Sequence, residues 1–233
     1  MGSNQKYWQS SGESGNRCLT LQEERKLRKV MSQRRDAARD YAVFRALLTT
    51  GMRIGEFLSL TVLEAHVALS SGHLYLAGER RKAKTLPSGQ TVYTDLCVHL
   101  RGEALEAFAD LVRLADDTGP LVPGRNGKPL SARAFQLRLK QWAALAGVDD
   151  RLSPHWLRHT FGAEFCRKSV SSPTETCIRL ARFLGHADPR TCGHYLTMSR
   201  DDDPGAAIEA VWGCKKRQTK AKIKRAFEQA RAL

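Results

Sequence analysis

The chain has 233 residues, 42% of them hydrophobic and 27% charged, with a formal net charge of +14. That length suits one large domain or two small ones, and the apolar fraction supports a core, which argues against global disorder. The excess of cations points to a polyanion, with nucleic acid first, and no apolar run approaches the roughly 20 residues a bilayer span requires, so no membrane partner is expected.

Residues 1–19 read as a flexible leader, with Met1-Gly2-Ser3 resembling a tag remnant. Thr20-Leu21-Gln22-Glu23 fits a capping box and starts a helix that runs to about residue 31. Residues 36–49 carry Tyr41, Phe44, Leu47 and Leu48 at helical spacing, Gly51 ends that helix, and a short one follows with Arg53 and Glu56 three apart. The pattern then changes to alternation. Val67 with Leu69, Leu74 with Leu76, and Val92 with Leu96 to Val98 predict a small three-stranded antiparallel sheet, turned at Ser70-Ser71-Gly72 and Pro87-Ser88-Gly89.

Helices are expected at about 102–116, 131–146, 154–168 and 173–184, with Ser131 and Ser153 as N-caps and Pro154 at a first helical position. Short helices follow at 189–196 and 204–212. Residues 214–233 form a basic segment with an apolar stripe of Ala221, Ile223, Ala226, Phe227, Ala230 and Leu233. The fold class is therefore α+β, mainly α. Cys18, Cys97, Cys166, Cys177, Cys192 and Cys214 include no Cys-x-x-Cys pair, so neither a metal site nor a metal cofactor is expected. Without an apolar N-terminal signal, a reducing cytoplasmic setting is the simpler reading.

Two strings carry chemistry: Thr50-Gly51-Met52-Arg53-Ile54-Gly55-Glu56, and His155-Trp156-Leu157-Arg158-His159-Thr160 with Leu184-Gly185-His186 and Tyr195 after it. A phenol, with its pKa of about 10, attacks phosphorus only when its proton is drawn off and the phosphate is made electrophilic. Arginine forks grip non-bridging oxygens, which nominates Arg53 and Arg158. His155 and His186 can donate to phosphate or exchange a proton. A lysine would protonate the departing sugar oxygen.

These strings resemble the catalytic domain of the tyrosine recombinases, or phage integrases, across most of the chain. The resemblance implies that Arg53, His155, Arg158, His186 and Tyr195 are catalytic, with Tyr195 the nucleophile. The family's lysine sits on a hairpin; Lys84 is chosen and Lys82 is the alternative. Glu56 and His159 have supporting roles, whereas His194, His66, His73 and His99 have none assigned. Arg80, Arg81 and Lys82 are expected to contact the DNA backbone.

The implied activity is metal- and ATP-independent cleavage and rejoining of DNA through a 3′-phosphotyrosine, with strand exchange by way of a Holliday junction. The implied partners are double-stranded attachment sites, a homo-tetramer on DNA and an accessory DNA-bending protein, and no cofactor is implied. Residues 20–213 would be the catalytic domain. Residues 214–233 would be a disordered tail, a DNA-contacting helix, or a helix docked on a neighbouring copy, with docking preferred. Family members mostly carry a further N-terminal clamp, so the chain is read as a fragment or a minimal recombinase. Two other activities compete: topoisomerase IB-like relaxation, and non-catalytic DNA binding for regulation.

Overall fold

The computed structural model describes residues 17–81, 83–85, 89–185 and 189–197, with Lys84, Thr85 and Thr197 described as backbone only. The order of elements is α1 (Leu21–Ser32), α2 (Ala38–Thr50), α3 (Ile54–Leu58), α4 (Val62–Ser71), β1 (His73–Leu76), β2 (Lys84–Thr85), β3 (Thr91–Val92), β4 (Leu96–His99), α5 (Glu103–Leu114), α6 (Ala132–Ala146), α7 (Pro154–Lys168), α8 (Pro173–Leu184) and α9 (Gly193–Thr197). The helices expected at 204–212 and within 214–233 lie outside the described residues, as does the leader to residue 16.

Helix α2 is the centre. Ala42, Val43, Phe44, Ala46 and Leu47 are all buried, so it has no solvent face and packs on α1, α5 and α7. Each large side chain buried this way contributes about 2 kcal/mol. The α1 capping box forms as expected: the Thr20 hydroxyl accepts from the Glu23 amide at 3.1 Å, and the Glu23 carboxylate accepts from the Thr20 amide at 3.0 Å. Helix α7 also lacks a solvent face over one stretch, with Trp156 to Thr160 buried in succession. The Thr160 hydroxyl accepts from the Leu19 amide at 2.8 Å, which fastens the start of the described chain to α7.

The sheet departs from expectation. Val67 and Leu69 lie in α4, which a second capping box at Thr61 and Glu64 initiates and the left-handed Gly72 ends at φ 73°. The apparent alternation was the short-range pattern of a helix end, with Val67 exposed. Instead of three strands in one sheet, the described residues form two two-stranded antiparallel sheets, β1 with β4 and β2 with β3. In the first, Leu74, Leu76, Leu96 and Val98 face the core.

Two buried charges join helices. Asp40 is fully buried and accepts from Trp142 Nε1 at 2.9 Å and from Arg138 on α6. Arg45 donates to Glu103, Glu106 and Asp110 of α5 at 3.2, 3.2 and 2.9 Å. Replacing Asp40 by Ala strands the buried Trp142 indole N–H and leaves the half-exposed Arg138 without this partner. Its expected effect is a loss of about 3 kcal/mol, read as a lower urea midpoint with an unchanged slope; an unchanged midpoint would contradict this role.

Candidate active site

The ends of α2 and α8 meet α7 at one arginine. Helix α2 closes on Gly51 at φ 62°, and α8 on Gly185 at φ 70°, both left-handed caps that leave the last carbonyls of each helix in need of donors. Arg158 supplies them: Nη1 donates to the Gly51 carbonyl at 2.8 Å and Nη2 to the Leu184 carbonyl at 2.8 Å. Any side chain on Gly51 would run into Phe161, its Cβ falling 2.4 Å from the ring. The chain leaves Gly51 through Met52 into Arg53, the N-cap position of α3.

Arg53 Nη1 donates to Glu56 Oε1 at 2.8 Å. The same oxygen lies 3.4 Å from Arg81 Nε, both side chains being buried. Arg81 also donates to the Thr94 carbonyl at 2.8 Å and to the Leu184 carbonyl at 3.4 Å. This differs from the expected placement of Arg81 on the outside of the hairpin: its guanidinium is turned inward, holding Glu56 and the end of α8. Arg80 remains exposed and pairs with Glu64 and the Ser59 hydroxyl.

His155, Arg158, His159 and Gly162 fall three or four residues apart on α7 and share a face. Arg53, Arg158, His155, Arg80, Arg133 and Gln136 line an open cleft of about 670 Å³, in which Glu56 is the only acidic residue among the described ones. Burial first, and the neighbouring cations second, depress two of these groups. Burial, then the charge of Arg53, lowers Arg158 to about 10, so it stays charged at neutral pH. Partial desolvation, then Arg158 and Arg53, lowers His155 below its ordinary value. The repulsive part of each shift is what an arriving anion would relieve.

Tyr195 is not in the cleft lining. It is 2% exposed, its ring lying over Gly162, where a Cβ would come within 2.7 Å of the ring. Its hydroxyl shares a 3.0 Å hydrogen bond with His159 Nδ1. His159 in turn meets the His155 ring edge-on, with centroids 4.4 Å apart, so an imidazole pair links the cleft to the phenol. Burial pushes the Tyr195 phenol up to about 12, against the opposing pull of Arg158. His194 packs on the Tyr195 ring at 3.9 Å.

Of the other expected site residues, Lys84 lies on β2, paired with Val92. Lys82 and His186 lie outside the described residues. Sequence reading missed Arg133 and Gln136, one turn apart at the start of α6 beside the cleft. Their spacing on a polar helix face was the available signal.

The chain matches the family model described as "Phage integrase family" over residues 17–201. Tyrosine recombinase XerC of Neisseria meningitidis serogroup C is 31% identical over 167 residues, covering 71% of this chain and 49% of the relative. Tyrosine recombinase XerD of Halalkalibacterium halodurans is 29% identical over 171 residues, covering 70% of this chain and 50% of the relative. The chain thus spans about half the length of the curated relatives it matches. The crystal structure of XerA recombinase superposes with a TM-score of 0.62 at 21% identity, covering 87% of this chain and 65% of that one. The Tn1549 transposon integrase in complex with a circular intermediate DNA superposes with a TM-score of 0.63 at 16% identity, covering 84% and 66%. These structures share the fold.

Gly162→Ala should displace the Tyr195 ring, because the new methyl and the ring occupy the same space. The expected outcome is a stability loss of about 1–3 kcal/mol together with nitration of Tyr195 by tetranitromethane, which the wild-type burial resists. Continued protection of Tyr195 in a folded variant would contradict the packing described.

Proposed function

The chain belongs to the phage integrase family, and on that premise we propose that it is the catalytic part of a site-specific DNA recombinase. The observation that carries this reading is the convergence of Arg53, Arg158 and His155 in one cationic cleft, with Tyr195 one layer behind and bonded to His159. Arg53 and Arg158 grip the non-bridging oxygens of a scissile phosphate, and His155 and His186 donate to the same group. Glu56 positions Arg53, and Arg81 positions Glu56. His159 holds the phenol until it is used.

In the cleavage step the Tyr195 oxygen bonds to phosphorus and the phenol proton passes to an imidazole. The bond from phosphorus to the 5′ oxygen breaks, and that oxygen takes a proton from Lys84, leaving a 3′-phosphotyrosine and a 5′-hydroxyl. A 5′-hydroxyl from a second duplex reverses the step on a new partner. The covalent link conserves the bond energy, so the exchange needs neither metal nor ATP.

Arg80 and Lys82 contact the DNA backbone, and Arg133 and Gln136 reach DNA beside the scissile phosphate. The working assembly is four copies on two duplexes, with residues 214–233 docked on the neighbouring copy and an accessory bending protein where the site requires one. Support for a DNA substrate comes from the cleft's charge and from the family.

The test is covalent trapping. Nicked duplexes carrying an attachment site selected for binding to this chain are incubated with wild-type protein and with variants. A denaturant-resistant adduct should form with wild-type protein and vanish with Tyr195→Phe. With Arg53→Ala it should form about 10²–10³ times more slowly while binding persists. An adduct undiminished in Tyr195→Phe, or none at all on a bound site, would overturn the assignment.

A further inference from the structure

We propose that His73 and His99 form a two-ligand site for a divalent transition ion such as zinc or nickel, on the exposed face of the β1–β4 sheet. The two residues are direct cross-strand partners. The Leu100 amide donates to the Gly72 carbonyl at 2.9 Å, which makes the adjacent His73–His99 pair the non-hydrogen-bonded kind, whose side chains come closest. Both are exposed, while Leu74 and Val98 between them turn to the core.

The ring geometry fits ligation. The imidazole centroids are 4.6 Å apart with planes at 67°. A ring nitrogen lies about 2.1 Å from a bound ion and the ring centre roughly 1.1 Å further, so two rings have centroids about 4.5 Å apart at the right angle nickel favours and about 5.2 Å apart at the tetrahedral angle of zinc. One tautomer is also set. His73 Nδ1 lies 2.8 Å from the Ser71 carbonyl, and a carbonyl only accepts, so Nδ1 carries the proton and Nε2 the lone pair. Metal-bound histidines are oriented by the same kind of outer bond.

Among the described residues no group of three or more His, Cys, Asp or Glu is arranged to hold an ion. Water therefore completes the shell here, and binding is reversible. Cys97 shares the exposed face two residues before His99 without being placed as a third ligand. Neither histidine lines the catalytic cleft. The ion would link β1 to β4 and stabilise the folded chain by mass action without entering the reaction.

Calorimetric titration of the whole chain with nickel or zinc chloride at neutral pH tests this, with histidine side-chain NMR to identify the ligands. Wild-type protein should show a site that His73→Ala and His99→Ala each weaken by at least about tenfold. His66→Ala, on the exposed face of α4, should leave it unchanged. Excess EDTA should remove the ion and reverse the effect. Both substituted side chains are exposed, so the variants should fold, as circular dichroism would verify. No binding by wild-type protein, or unchanged affinity and stoichiometry in the double variant, would overturn the proposal.

Discussion

Everything around the cleft hangs on the two hydrogen bonds of the Arg158 guanidinium to the Gly51 and Leu184 carbonyls. These carbonyls sit at the negative ends of α2 and α8, where a cation is favoured, and Arg81 adds a second, longer bond to the Leu184 carbonyl. One side chain on α7 therefore ties α8, the next helix in the chain, to the sequence-distant α2. The left-handed glycines after each helix let the chain turn away while the carbonyls stay aimed at the arginine. Arg53 follows two residues after the first glycine, so the fold that satisfies Arg158 also delivers the second arginine.

The cleft is electrostatically unfinished. Arg53, Arg80, Arg133, Arg158 and His155 share it with the single carboxylate of Glu56, and that carboxylate is already engaged by Arg53 and Arg81. Burial, and after it the neighbouring cations, hold Arg158 and His155 below their ordinary pKa values. A phosphate entering between them would offset the repulsion. The phenol obeys a different constraint: buried over Gly162 and bonded to His159, Tyr195 is held in its neutral form.

Much of this was legible in the sequence, because motif residues three and four apart on a helix must share a face. Arg53 with Glu56, and His155 with Arg158 and His159, follow from that rule alone. The capping box at Thr20 was read correctly for the same local reason. The strand assigned to Val67 and Leu69 failed because period-two alternation over four residues also occurs in a helix, and the Thr61–Glu64 box that starts α4 went unread. The inward turn of Arg81 was not legible: in a run of basic residues, only tertiary contacts with Glu56, Thr94 and Leu184 distinguish the buried one. Arg133 and Gln136 join the cleft because α6 ends up beside α3, a long-range pairing that no local pattern encodes.

The most direct measurement is a pH titration of ring-labelled tyrosine by carbon NMR on the free chain, with Tyr195 assigned from Tyr195→Phe. Burial should hold the Tyr195 proton to about pH 12, well above the usual value of about 10. Because the unfolded chain loses that proton first, stability should fall as pH rises across this interval. A Tyr195 resonance that titrates with the exposed tyrosines near pH 10 would contradict a phenol held in reserve behind the phosphate cleft.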